Sequence, residues 1–281
     1  MRVATSAIPA SAAALLLLGA AARAQVFGGP VQGQMGFLPA ASGNAEDIVW
    51  FHNWILLPVT IGISALVLAL IAYVVFRFHE TANPVPSRRT HNGLLEFAWT
   101  VTPALVLVVI AVPSFRLLAS QLIIPAPDFT LKVTASQWHW NYGYPKSEGG
   151  FSFDSLIVDD KDLKPGQPRL LTVDNPAVVP VGKVVEIDVT SQDVIHSFSI
   201  PSFGVKIDAI PGRLNKYWFK ADREGVYYGQ CSNICGIGHA FMPITVRALS
   251  DADYQAWLTA AKKQFASAGG VDLAAASVVR P

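Results

Sequence analysis

The chain is poor in charge and in cysteine. Of its 281 residues only 15% are Asp, Glu, Lys or Arg, against 52% hydrophobic residues, and the formal net charge is +1. So apolar a composition excludes a disordered chain, and so little charge is low for a soluble domain. No basic run is present, so the electrostatic footprint of nucleic-acid binding is missing. No period of about 20–50 residues repeats, which argues against solenoids and propellers. There are two cysteines in all, and both fall in one short segment.

What is present begins with an export signal. Arg2 supplies a positive start, Ala12 to Ala21 form a short apolar run, and Ala22-Arg23-Ala24 offer small residues for cleavage. The expected signal is 1–24, with Gln25 starting the mature chain. A first membrane helix is the competing reading, but a span needs roughly 20 apolar residues. Residues 25–49, rich in Gly, Pro and Ala, read as a poorly ordered external lead-in.

Residues 50–118 read as a membrane hairpin. Trp54 to Phe76 is a 23-residue apolar stretch without formal charge, with Pro58 in its first turn. Trp50, Trp54 and Tyr73 fit an aromatic belt. A second stretch runs from Phe97 to Leu118, with Pro103 early, Pro113 late and Trp99 near an interface. Two buried core helices are the alternative, and two apolar stretches of this length around a polar loop favour the membrane. Arg77, Arg88 and Arg89 lie in the loop 77–96, whereas residues 25–53 contain no Lys or Arg, so the loop is expected in the cytoplasm and both flanks outside.

Residues 119–249 read as an external all-β domain. Strand-like runs recur at Phe129–Ala135, Leu170–Val173, Val184–Thr190, Ser197–Ile200, Leu214–Phe219 and Met242–Ala248, separated by turn residues such as Ile210-Pro211-Gly212-Arg213. This spacing predicts a β-sandwich or barrel. In 250–281, Ser250 and Asp253 can cap a short C-terminal helix whose one face carries Tyr254, Trp257, Leu258 and Ala261, and the tail after Ala268 reads as loose.

The chemistry is concentrated in Cys231-Ser232-Asn233-Ile234-Cys235-Gly236-Ile237-Gly238-His239-Ala240-Phe241-Met242, with His196 lying 35 residues before Cys231. Thiolate, thioether and imidazole donors select copper over magnesium or calcium. A one-copper electron-transfer site needs a single Cys, and this loop has a second, so two thiolates can bridge two copper ions. Structural zinc would not use Met242. A Cys231–Cys235 disulfide is plausible in an oxidising compartment, and a buried reduced pair is the third alternative. Met242 and His196 weigh towards copper.

With those residues in view, the chain from roughly Trp50 to Trp257 resembles subunit II of cytochrome c oxidases. The resemblance is carried by Cys-x-x-x-Cys-x-x-x-His-x-x-Met, by His196 to Lys206, by Ile210 to Asn215, by Tyr228-Gly229-Gln230 and by Leu95 to Thr100. It implies a cupredoxin-like sandwich on a two-helix transmembrane hairpin. It further implies a dinuclear copper centre (CuA) with His196 and His239 each on one copper, Cys231 and Cys235 bridging, and Met242 and the backbone carbonyl of Asn233 as weak ligands. Trp138, within Gln137-Trp138-His139-Trp140-Asn141-Tyr142, would be where electrons enter from a c-type cytochrome. The competing reading is an aromatic cluster buried against subunit I, and for Trp140 the two readings stand level. His139 reads as a surface histidine. Glu96 would lie at the mouth of proton uptake, or else be a helix-start carboxylate.

The function implied is electron acceptance for oxygen reduction coupled to proton pumping, with haem-bearing subunit I and subunit III as partners. A bacterial plasma membrane is the implied location, with the copper domain on the periplasmic side and membrane lipid around the hairpin. Two departures stand out. Asn233 replaces a Glu that in the family helps bind magnesium, and a neutral amide oxygen is a poorer ligand for that hard cation. The acidic docking patch is thin: Gly143, Lys146 and Gln192 stand in or beside its places, with Glu148 nearby and Asp193 retained. That pattern predicts a weakly basic donor. The rivals are a copper-free quinol oxidase subunit II, which lacks the ligand set, another copper module such as a nitrous oxide reductase tail or a chaperone, and a purely structural subunit.

Overall fold

A computed structural model describes residues 28–265. The expected signal at 1–24 and the tail after Ala268 lie outside the described residues.

The first helix, α1, runs Gly43–Phe78. Ser42 caps it, its Oγ accepting from Ala45 N at 3.1 Å. The helix starts well before the apolar stretch and passes through one π turn at His52–Leu56. Pro58 follows that turn, so it sits inside a long helix rather than in a first turn. Proline cannot donate to the carbonyl four residues back, and the widened π turn re-spaces the ladder next to the missing donor.

The lead-in is not loose between Pro39 and Ala45. Ala41, Ser42, Asn44 and Ala45 are buried. Ala41 N donates to Ser202 O at 2.8 Å, Ala41 O accepts from Asp222 N at 2.9 Å, and Ser42 Oγ donates to Phe203 O at 2.8 Å. Gly204, at φ 65°, is what lets the helix come so close: a Cβ there would lie 2.9 Å from Ile48 Cδ1 and 3.0 Å from Ala45 N. Such contacts span the whole domain in sequence, so local composition could not show them.

The second helix, α2, spans Gly93–Leu122 with Asn92 as its cap, the Oδ1 accepting from Leu95 N at 3.3 Å. Pro103 and Pro113 are both inside it. Arg116 lies in its external part and leaves the expected 97–118 span with one charge near that end. Apolar side chains such as Phe97, Leu107, Val109 and Phe115 are exposed along it. No residue of α2, and none of α1 beyond Ala45, is buried within the chain, and both helices are long and apolar enough to cross a membrane.

Among the described residues ten strands follow: β1 Phe129–Ser136, β2 His139–Gly143, β3 Ser152–Ser155, β4 Ala177–Pro180, β5 Val184–Ser191, β6 His196–Ile200, β7 Val205–Ala209, β8 Asn215–Lys220, β9 Gly225–Cys231 and β10 Pro243–Leu249. They form two five-stranded sheets, ordered β3-β2-β1-β5-β8 and β4-β10-β9-β6-β7. The β1–β5 and β4–β10 pairs are parallel and the remaining neighbours antiparallel. In β5 strict alternation sends Val185, Ile187, Val189 and Ser191 inward. The expected strand at Leu170–Val173 is instead a turn. Leu170 takes φ 62°, and Val173 makes only an isolated bridge to Ile157.

The third helix, α3, spans Asp251–Phe265. Ser250 Oγ accepts from Asp253 N at 3.2 Å, as the sequence predicts. Tyr254, Leu258 and Ala261 are buried, and Trp257 and Phe265 stack near Tyr144 and Phe153, sealing one side of the sandwich. Trp218 Nε1, on β8, donates to Ser120 O at 3.3 Å and ties the sandwich to the end of α2.

Candidate metal centre

Three strand ends build the site. β6 begins with His196, β9 ends with Cys231, and Met242 stands immediately before β10. Because β6 and β9 are antiparallel neighbours, with Phe198 opposite Cys231, the start of one strand lies beside the end of the other. The β9–β10 connection then carries Cys235 and His239 over the same edge of the sandwich.

The donor atoms form a ladder. His196 Nδ1 lies 4.0 Å from Cys231 Sγ, the two sulfurs are 3.9 Å apart, and Cys235 Sγ lies 3.6 Å from His239 Nδ1. The flanks carry the weaker donors: Asn233 O is 3.3 Å from Cys231 Sγ, and Met242 Sδ is 3.5 Å from Cys235 Sγ. The donor atoms of His196, Cys231 and Cys235 all lie within 4.8 Å of one another, and all three residues are buried. Each thiol therefore has one imidazole and one weak donor, in mirrored order.

The sulfur separation argues about occupancy. A disulfide needs about 2.05 Å between sulfurs, so the 3.9 Å pair is not bonded. Two sulfurs bound to one metal at about 2.3 Å, with a roughly tetrahedral angle, stand about 3.8 Å apart. The spacing thus suits two thiolates sharing metal ions. Burial, together with the neighbouring Cys231, pushes the Cys235 thiol up to about 12. A pair of adjacent buried thiolates needs cationic charge between them.

A carboxylate orients the first imidazole. His196 Nε2 lies 2.8 Å from Asp193 Oδ1, which leaves Nδ1 as the lone-pair atom towards the sulfurs. Burial works against the Asp193 charge. Hydrogen bonds from His196, Val194 N and Gln137 N outweigh it and hold the carboxyl below its ordinary range.

Aromatic residues cover the loop. Trp138 is partly buried against the core, with Nε1 donating to Cys235 O at 3.3 Å, and Gln137 Nε2 donates to the same carbonyl at 2.8 Å. Gly238 makes room for the ring, since a Cβ there would lie 2.3 Å from Trp138 Cδ2. Trp140 separates from Trp138 at this point. It is fully buried, packs edge-on to Phe198, and donates Nε1–H to Met242 O at 3.0 Å. It is a core residue that holds the Met242 backbone. His139 is half-buried, 3.7 Å from Asp154 Oδ1, and stands apart from the ladder.

Glu96 is not part of this site. It lies 26 residues before the end of α2, about 40 Å along the axis. Its carboxylate accepts from Asn92 N at 3.0 Å, so it closes the helix start. The Asn233 side chain donates Nδ2–H to Asp208 Oδ1 at 3.0 Å. Sequence reasoning missed the roles of Gln137, Trp140 and Asp193 as braces, because each depends on a contact 56 to 102 residues away.

Comparison with known proteins shows the family. The model of the cytochrome c oxidase subunit II periplasmic domain matches residues 129–249, and that of the transmembrane domain of the same subunit matches residues 30–117. A probable cytochrome c oxidase subunit 2 of Rickettsia bellii is 46% identical over 246 residues, covering 88% of this chain and 91% of the relative. The cytochrome c oxidase subunit 2 of Cereibacter sphaeroides is 45% identical over 274 residues, covering 90% of each. Among solved structures, the periplasmic domain of subunit II of cytochrome oxidase from Bradyrhizobium japonicum is 55% identical, covers 51% of this chain and 99% of its own, and has a TM-score of 0.48.

Proposed function

The chain belongs to the cytochrome c oxidase subunit II family, and on that premise we propose that His196, Cys231, the Asn233 carbonyl, Cys235, His239 and Met242 hold a dinuclear copper centre. As a subunit II it is part of a haem–copper oxidase, and its periplasmic domain is the part that takes in electrons. The observation that carries the copper assignment is the mirrored ladder, in which each buried sulfur has one imidazole nitrogen and one weak donor. When bound, such a pair of copper ions supplies a one-electron acceptor whose charge is shared over two metals.

The chain's own residues then have distinct tasks. Asp193 fixes the His196 tautomer. Trp140 fixes the Met242 backbone. Trp138 lies over the loop, where a c-type cytochrome delivers its electron. Its Nε1–H bond to the Cys235 carbonyl gives a short bonded route from ring to thiolate. Haem in subunit I would be the onward electron acceptor, and subunit III would complete the set of partners. Glu96 serves proton uptake at the cytoplasmic end, although its capping bond to Asn92 already accounts for its presence there. Magnesium has a poor site at Asn233, whose amide group acts as a donor to Asp208.

The domain reading follows the same lines: signal 1–24, lead-in 25–49, hairpin 50–118, copper domain 119–249, C-terminal helix and tail 250–281. The placement is a bacterial plasma membrane with Arg77, Arg88 and Arg89 inside and both flanks in the periplasm. A quinol oxidase subunit would have no use for this donor set.

The test is the full oxidase, purified and assayed for copper and by electron spin resonance. Two coppers on this chain, sharing one unpaired electron across two nuclei, are the expected result. A single copper, zinc, or a copper-free chain that still supports oxidase activity would overturn the assignment.

A further inference from the structure

The hairpin carries a cavity of about 240 Å³ between α1 and α2, at the end next to the sandwich. Asp47, Trp50 and Phe51 line it from α1, and Pro113, Arg116 and Leu117 from α2. Both sets keep the i, i+3, i+4 spacing of one helix face, so two stripes look at each other across the cavity. Ser120 completes the wall, and its carbonyl is the one held by Trp218 Nε1.

The charges here are unusual for their place. Arg116 is the single charged residue of the 97–118 stretch and lies six residues, about 9 Å, before the end of α2. Asp47 comes from a segment, 25–53, that contains no Lys or Arg. Both side chains are exposed, whereas Phe51, Pro113 and Leu117 between them are half-buried. Among the described residues neither charge has a hydrogen-bond or ion-pair partner in its side chain's reach. A charge at the edge of hydrocarbon is costly unless it is paired. The cavity thus has an apolar floor and one unpaired charge of each sign on its walls.

We propose that this cavity binds the headgroup of a zwitterionic phospholipid of the outer leaflet, with Arg116 on the phosphate and Asp47 on the primary ammonium of ethanolamine. The guanidinium fork matches two phosphate oxygens at once. A primary ammonium has three N–H donors for a carboxylate, and a choline headgroup has none. The two walls sum to zero charge, as does the headgroup, and an anionic lipid would meet repulsion from Asp47. Trp50 marks the level of the membrane–water interface. The volume is below the roughly 300–1,000 Å³ of pockets that enclose a drug-sized ligand. A headgroup therefore enters, and its acyl chains lie along exposed apolar side chains of α2 such as Val109 and Val112. The inference rests on the membrane placement proposed above and is independent of the copper assignment.

The test uses the whole oxidase in bilayers of equal phosphatidylethanolamine and phosphatidylcholine, doped with a photoreactive form of one lipid or the other. Cross-linked peptides are mapped by mass spectrometry. In the parent enzyme the ethanolamine probe should label the helix ends around Asp47 and Arg116 about 10-fold more than the choline probe. Arg116→Gln should lower that label about 10-fold, the scale of one charge-assisted hydrogen bond. Arg116→Lys keeps the charge without the fork and should fall between. Asp47→Asn should bring the two probes within about twofold of each other. Normal haem content in each variant shows that the complex has assembled. Equal labelling by both probes in the parent, or an unchanged label in Arg116→Gln, overturns the inference and leaves Arg116 as a side chain reaching for water. Labelled helices with a bare Arg116 region mean that a partner subunit fills the cavity, which overturns it too. If neither helix takes label anywhere, the membrane placement itself fails.

Discussion

At the scale of single residues the centre depends on small clearances. Gly238 leaves the Trp138 ring its place, and any side chain there collides with it at 2.3 Å. Gly238→Ala should leave the copper count and spin resonance spectrum intact while slowing donor oxidation roughly 10- to 100-fold, the scale on which a misplacement of about 1 Å acts. Stopped-flow oxidation of a reduced cytochrome measures it, and an unchanged rate would remove Trp138 from the electron route. Trp140 makes a different prediction. Trp140→Phe keeps the aromatic packing against Phe198 but leaves the buried Met242 carbonyl without its donor. An unsatisfied buried acceptor costs about 1–3 kcal/mol, so the variant should unfold earlier in calorimetry and show a shifted copper potential. Cys235→Ser removes one of the two sulfurs, and should abolish the two-nucleus signal while haem content stays normal.

At the scale of elements, the ligand loop was readable because soft donors fall within twelve residues of sequence. The membrane hairpin was readable because long apolar runs have few alternatives. The sandwich was only half legible. β5 alternates openly, as do the ends of β1 and β10, but β3 and β4 are four residues each and β9 carries Gly225 and Gly229. β7 places Lys206 and Asp208 within five residues and looks like a loop. β2 was read only as an aromatic motif, although Trp140 and Tyr142 are its inward face. Leu170–Val173 misled in the other direction, since an apolar tetrapeptide can plug a turn as well as form a strand. The start of α1 escaped notice for a similar reason: its burial comes from Phe203 and Asp222. Ser42→Ala tests that contact. It removes both the cap and the bond to Phe203 O, and loss of such a cap costs about 0.5–2 kcal/mol. The expected result is a lower unfolding temperature of the assembled oxidase with unchanged copper.

At the scale of the whole molecule, charge is nearly absent as a recognition device. The metal loop presents Ile234 and Ile237, 89% and 90% exposed, on either side of the segment bonded to Trp138. Of the acids beside it, Asp193 accepts from His196 and from Gln137 N, and Asp208 accepts from the Asn233 side chain. Long-range steering scales with opposed charge and falls with ionic strength. Cytochrome oxidation by this oxidase should therefore change less than about threefold between 10 and 200 mM salt, whereas a steep fall would show that acidic docking groups lie elsewhere on the surface.

The contacts of Ala41 and Ser42 with Ser202, Phe203 and Asp222 also set an order in time. Ser42 and its partner Phe203 are 161 residues apart, and both membrane helices lie between them. With the proposed topology, the first half of this clasp reaches the outer side early in synthesis and waits. It can close only when the chain through Asp222 has been translated and moved across the membrane, by which stage the hairpin and most strands have been made. Cys231 to Met242 follow directly. The metal-binding loop is thus delivered after the segments that fasten the sandwich to its stem, ahead only of β10 and α3, and with the proposed copper assignment its loading would follow translocation of the loop.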